Sequence, residues 1–317
     1  MSILMRTLMF FVGVTVLAVY AAVAVGWLVL VQWLFADPPT LTTLLGAFLI
    51  VVLGMGYVGY RFGTVRVVSS LDATRLSRDR VPELFYRIER LCAQSRVRQP
   101  ELLVADLGVP NALSLGSPRQ GVVVFDRRLF ELLSIDELEG ILAHELAHME
   151  RLDTFWNTLA VTAVRTLAGL VLVALLPVSI FLVGIDQGSA WIAGDPGRSR
   201  VGLAGYFQQA VLLGLGGLFF VFTLAFLAYS RRQEFAADSR ATELTGNPAA
   251  LARGLAKLHR VTNSRGGLLS MLYIHDDQRT NRDRLLSTHP PLQDRIDRLI
   301  DDTEISTQYD VATLQLR

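Results

Sequence analysis

The chain has 317 residues, 51% of them hydrophobic, and a formal net charge of +1. That is more apolar than an ordinary soluble enzyme requires and points to a membrane. The balanced charge, with no basic stripe interleaved with aromatics, argues against a nucleic-acid partner. Cys92 is the single cysteine, so an internal disulfide and a cysteine zinc cage are excluded, and any metal must be held by His, Asp or Glu. Positive charge is almost all arginine, with Lys257 the only lysine, which reads as composition rather than function.

Four apolar runs reach spanning length: Met9 to Phe35, Leu41 to Tyr60, Thr158 to Val183 and Val201 to Tyr229. About 20 residues at 1.5 Å each cross the hydrocarbon layer, so each run suffices. The first follows Arg6 but is too long for a signal-peptide core, and the second begins just after "ADPPT"; the pair reads as a retained membrane hairpin. Arg6, Arg61, Arg66, Arg231 and Arg232 flank the spans on one side. "ADPPT" and the loop from Ile185 to Arg200, where two arginines are offset by two aspartates, lie on the other. The positive-inside rule then puts both termini and both large polar segments in the cytoplasm of a multi-pass inner-membrane protein. Arg165, inside the start of the third run, fits a helix that begins well below the membrane, and Pro177 could kink that span.

Between spans two and three, "RVPELFYRIERLCAQSRV" has apolar residues at helical spacing, with Pro82 in the first turn. "PELLVAD", "NALSLG" and "GVVVFD" read as short strands separated by Gly/Pro turns. "SIDELEGILAHELAHMERL" is a helix opened by a capping box of Ser134 and Glu137. After span four, "RRQEFAADSRATEL" and "NPAALARGLAKLHRV" are helical in pattern, a polar loop follows, and a last short helix starts after "THPPLQDRI". The expected fold is α+β: a mainly helical integral membrane protein with four transmembrane helices and a small β-sheet. Its organisation is a transmembrane hairpin over 1–61, a first catalytic segment over 62–156, spans three and four over 157–229, and a second catalytic segment over 230–317.

The chemistry centres on "HELAH". On a helix, His144 and His148 stand one turn apart on the same face and can grip one tetrahedral ion. Glu145 lies off that face but within reach of the ion's open side, where it can act as general base. Two surface histidines on an ordinary helix are the bland alternative. Against it, Ile141, Leu142, Leu146 and Ala147 surround the pair, leaving these polar groups poorly satisfied without a metal. A catalytic site needs a third protein ligand. "RRQEFAADSR" offers Glu234, with Asp238 one turn on as a partner for a ligating imidazole; alone, such a pair is more often a solvated face or an ion pair with the neighbouring arginines.

"AHELAH", "SRRQEFAADSRATELTGNP" and "LLSTHPPLQDRI", in that order around two spans, resemble the HtpX-type membrane zinc metalloproteases, relatives of the CAAX prenyl endopeptidases. "VPNALSLGSPRQGVVVFD" resembles that family's strand segment, and the likeness covers the chain from about Val65 onward plus the hairpin. The resemblance implies a gluzincin-like zinc peptidase domain with one catalytic zinc on His144, His148 and Glu234, and Glu145 as base. It further implies Asp238 beside the metal ligands and His289 facing the reacting carbonyl, where it would stabilise the oxyanion. Asp153 and Arg295 also match family positions; for Asp153 a cap or helix-end ion pair is an equal reading, and for Arg295 an ion pair to a nearby acid is the plainer one. The strand at Asn111 and Ala112 is expected to form a sheet edge beside the zinc, to which an extended polypeptide could add by backbone hydrogen bonds. The family usually has an aromatic residue where Leu113 stands, which bears on side-chain preference rather than on chemistry.

The expected function is therefore membrane-bound, zinc-dependent endoproteolysis of misfolded or membrane proteins on the cytoplasmic side. Prenyl-protein processing is the alternative within the family, although four spans are few for an enclosed chamber. An inactive membrane scaffold is the non-enzymatic alternative, opposed by the intact His144, Glu145, His148 and Glu234.

Overall fold

The computed structural model describes residues 3–34, 40–196, 202–264 and 291–301. Its helices are α1 (Ile3–Leu34), α2 (Leu41–Ser70), α3 (Pro82–Gln94), α4 (Leu129–Leu132), α5 (Ile135–Glu150), α6 (Asp153–Ile192), α7 (Leu203–Thr245) and α8 (Pro248–Ser264). A further helical stretch covers 292–301. The strands are β1 (Thr74–Arg75), β2 (Glu101–Ala105), β3 (Ala112–Ser117) and β4 (Gln120–Asp126). Two compact units result, Met1–Gly54 with Val161–Phe222 and Met55–Ala160 with Thr223–Arg317.

Among the described residues, α1, α2, α6 and α7 are long and apolar enough to cross a membrane. α1 and α6 touch backbone to backbone: a Cβ on Gly13 would lie 2.7 Å from Gly188 O, and one on Gly188 would lie 3.0 Å from Gly13 O. Small residues permit such close crossings where no hydrophobic force separates helix from lipid. Asp186 accepts from the backbone N–H groups of Leu203 (2.9 Å) and Ala204 (2.7 Å), satisfying donors that the first turn of α7 leaves free.

That contact explains one departure from expectation. The segment from Ile185, expected as a loop, stays helical to Ile192, because Gly188 packs on α1 and Asp186 caps α7. α7 is likewise one helix across Arg231 and Arg232; no Gly or Pro interrupts it between Leu218 and its left-handed end at Gly246 (φ 65°). α6, with 40 residues, and α7, with 43, are about 60 and 65 Å long, twice the roughly 30 Å hydrocarbon layer. α6 opens at Asp153, well ahead of Arg165, and runs through Pro177.

The second unit is built around α5. The sheet order is β1-β2-β4-β3, with β2 and β4 parallel and the other pairs antiparallel. Side chains alternate across it: Leu102, Val123 and Phe125 join α3 and α5 in the main core, while Leu103, Ala105 and Val124 face a smaller cluster with Leu71. With both faces buried, β2 and β4 read as continuous apolar runs. α5 packs against α3, α8 and β3. Arg87 and Arg90 of α3 clamp its buried Glu139, and Lys257 of α8 reaches its buried Glu137 at 2.6 Å. Gly140 lets α8 approach, since a Cβ there would lie 3.1 Å from Leu251 Cα.

The three expected strands are present, whereas β1 and α4, each under five residues, carry no sequence signal of their own. The last helix begins at 292, inside "THPPLQDRI" rather than after it, with Pro291 ahead of its first turn.

Candidate metal centre

α5 is set by its first turn. Glu137 N–H donates to Ser134 Oγ, and Glu137 Oε2 accepts from Ser134 N–H at 2.9 Å, closing the expected capping box. Leu138, Leu142 and Leu146 anchor the helix in the core and leave His144 and His148 on one face. The helix ends at Arg151, and Leu152 takes a left-handed conformation (φ 58°) before α6 starts. A non-glycine residue there costs about 1 kcal/mol. The turn brings Asp153 back beneath His148.

The imidazoles are oriented from behind. His148 Nδ1 lies 2.8 Å from Asp153 Oδ2, and His144 Nδ1 lies 3.0 Å from Asp238 Oδ1, the latter contact off the line of an ideal hydrogen bond. A carboxylate only accepts, so each Nδ1 facing one carries a proton, and in the neutral imidazole Nε2 then presents its lone pair. Those two Nε2 atoms are 3.1 Å apart. Glu234, from α7, aims at the same point, with Oε2 3.6 Å from His144 Nε2 and Oε1 3.9 Å from His148 Nε2. Three lone-pair donors converging without a proton between them repel one another unless a cation sits among them. Tetrahedral ligands 2.0–2.1 Å from an ion stand about 3.3 Å apart. The three residues fit such an ion, and their ligand atoms all lie within 4.8 Å of one another.

The charges agree. Arg295 donates to both oxygens of Asp238 (2.7 and 2.6 Å) and stands 3.0 Å from Glu234 Oε2. Burial works against its charge, but Asp238, Glu234 and Glu145 outweigh burial and keep its pKa above the ordinary arginine value. Burial also opposes protonation of His148, yet Asp153, Glu145 and Glu234 hold that pKa above the usual histidine value.

The sequence pattern of peptidase family M48 matches residues 79–303, more than half of the chain and both polar segments. The chain belongs to peptidase family M48. It is 32% identical over 257 residues to "Protease HtpX homolog" of Pyrococcus abyssi, covering 78% of this chain and 83% of that protein. It is 30% identical over 257 residues to the protein of the same name from Thermodesulfovibrio yellowstonii, covering 79% and 86%. Among solved structures, S. mikatae Ste24p is similar with a TM-score of 0.51 at 19% identity, over 92% of this chain and 66% of that one, so this chain spans just under two thirds of its length. At that identity the likeness concerns the fold. This M48 chain is thus an HtpX-like membrane metallopeptidase with a His/His/Glu group for a metal ion.

Of the residues singled out from sequence, His144, His148, Glu145, Glu234 and Asp238 come together. Glu145 is half-buried and near enough to His148 and Arg295 to favour the charge of both. Ala112 opens β3, an edge strand packed against α5, and Asn111 precedes it, its carbonyl accepting from Asp126 N–H at 2.8 Å. His289 lies outside the described residues. Arg295 makes the ion pair expected of it, and Asp153 both lies 2.8 Å from His148 Nδ1 and forms a helix-end ion pair with Arg151 (3.5 Å). Gln233 and Asn157 escaped notice, and adjacency to Glu234 was the only signal for Gln233. Asp126 did too. Fully buried at the end of β4, it accepts from Leu107 N–H (2.8 Å) and from the backbone and Nε of Arg128 (3.0 and 2.7 Å), tying down the loop that leads into β3.

Proposed function

We propose that this chain is a zinc endopeptidase that cuts misfolded or membrane proteins on the cytoplasmic side of the cell membrane. The observation that carries the reading is the convergence of His144 Nε2, His148 Nε2 and the Glu234 carboxylate, each imidazole backed by an aspartate. Two imidazoles and one carboxylate in a compact set suit zinc better than the larger, oxygen-seeking divalent ions. Bound there, zinc would act as a Lewis acid that eases deprotonation of water and polarises the scissile carbonyl.

The protein's own groups supply the rest. Glu145 takes the proton of the attacking water and hands it to the departing amine, a task for a carboxylate beside the ligands but not among them. Asp153 and Asp238 hold the Nδ1 sides of the two rings, so that both Nε2 atoms face the metal position. Arg295 holds Glu234 and Asp238 in place. β3 lies at the end of the sheet among the described residues, and beyond Asn111 its outer edge, from Ala112 onward, offers backbone donors and acceptors to an extended substrate, which supports broad sequence tolerance. His289 is assigned a hydrogen bond to the oxyanion. The flanking arginines, Arg6, Arg61, Arg66, Arg231 and Arg232, favour the cytoplasmic orientation.

Glu234→Ala should lose bound zinc while remaining folded; full metal occupancy in that variant would remove Glu234 from the ligand set. A cysteine placed between Ile185 and Arg200 in a Cys92→Ser background should react with an impermeant reagent on intact cells. Labelling only after lysis would invert the orientation.

A further inference from the structure

Behind His148 the polar chain continues past its aspartate. Asp153 Oδ1 accepts from Gln233 Nε2 at 3.0 Å, and Gln233 Oε1 accepts from Asn157 Nδ2 at 3.2 Å. Asp153 and Gln233 are 4% and 3% exposed, so neither contact is a surface accident. The direction of each bond is determined. Asp153 can only accept, so the Gln233 amide must present its NH2 there and its oxygen to Asn157. Asn157 turns its NH2 to Gln233, and its buried Oδ1 has no partner among the described residues. The run Asn157 to Gln233 to Asp153 to His148 therefore has one polarity, ending on the imidazole face opposite the metal position.

Its members alternate between helices: Asn157 and Asp153 belong to the first turns of α6, Gln233 to α7. Gln233 also directly precedes Glu234. A single α7 dipeptide thus reaches the metal position twice, through a ligand and through the support of another ligand.

We propose that Gln233 is a positioning residue for metal binding: it fixes the Asp153 carboxylate that orients His148 and ties that ligand to the packing of α6 on α7. With Gln233 gone, the remaining partner of Asp153 Oδ1 among the described residues is Arg151, 3.5 Å away and 42% exposed, so the carboxylate can swing toward solvent and release Nδ1. The imidazole then loses its fixed tautomer, and the ion should leave faster.

The inference rests on His148 being a metal ligand, so the test carries its own control. Full-length protein in detergent is loaded with zinc, and dissociation into a chromophoric chelator is timed for wild type, Gln233→Met, Asn157→Leu, the double variant and His148→Ala. The absorption spectrum of the cobalt-loaded forms is recorded in parallel. Gln233→Met keeps the side-chain volume and should release zinc about 10- to 100-fold faster with a changed cobalt spectrum. Asn157→Leu should move the rate the same way by less, and the double variant should be no faster than Gln233→Met alone. If Gln233→Met does not fold, the Asn157→Leu rate decides. Release within twofold of wild type, from a folded Gln233→Met or from Asn157→Leu in its place, would overturn the proposal while His148→Ala still fails to hold zinc. Zinc retained by His148→Ala would instead overturn the ligand assignment, and the proposal with it.

Discussion

Replacing Arg295 by methionine removes the cation between Asp238 and Glu234. Its side chain is 8% exposed, and the two carboxylates are 6% and 10% exposed, so water does little to compensate. Two unit charges about 4 Å apart interact by roughly 4 kcal/mol at an effective dielectric constant of 20. Breaking a buried pair by deleting one partner costs about 3–5 kcal/mol. In the metal-free protein the loss should reach that range, on the order of ten degrees in the thermal unfolding midpoint. With zinc bound the loss should be smaller, because the ion takes up the charge of Glu234. Adding Asp238→Leu should restore part of the metal-free stability, since it removes the orphaned anion. The assay is unfolding of each variant in detergent, with and without zinc. A loss under about 1 kcal/mol, or an equal loss in both states, would show that this arginine does not balance the site.

Two smaller effects follow from packing and charge. Gly140→Ala and Gly254→Ala, on facing helices, should differ in sign. At Gly254 the new Cβ meets nothing closer than 3.4 Å and helix propensity gains about 0.5–1 kcal/mol, whereas at Gly140 three Leu251 atoms at 3.1–3.2 Å cost about 1–3 kcal/mol and outweigh that gain. Unfolding midpoints decide it, and equal stabilisation by both would mean that α5 and α8 are not in tight contact. For Asp126, burial pushes the pKa up, but Arg128 and the N–H groups of Leu107 and Arg128 outweigh it and depress the value. A depressed carboxylate stabilises fully above the ordinary aspartate range and loses that contribution as pH falls through its lowered value. Metal-free wild type should therefore lose more midpoint than Asp126→Asn between neutral and acid pH; parallel curves would contradict this.

What was legible in the sequence is mostly what is local. The one-turn spacing of His144 and His148, the Ser134–Glu137 box and the four apolar runs each declare themselves within a few residues. Glu234 lies far along the chain and was found through the motif around it, because ligand convergence is a tertiary property. The support of His148 was harder to see. It depends on Leu152 adopting a left-handed turn that leucine does not advertise, and on Gln233 and Asn157, whose amides look like any polar helix residues. Arg295 could be read as wanting an acid, but its choice of Asp238, 57 positions away, is made by packing. The extension of α6 to Ile192 was missed for a different reason. Hydropathy falls there, but a helix ends where its backbone bonds and caps end.

The most direct test of the central claim is zinc content and casein cleavage measured on the same detergent-purified samples of wild type and Glu145→Gln. Glu145 is assigned the proton transfers and no ligand bond, so one zinc should be found in each, with cleavage by wild type alone. Cleavage by Glu145→Gln at the wild-type rate, or a wild type that cuts equally well after its metal is stripped, would contradict the account.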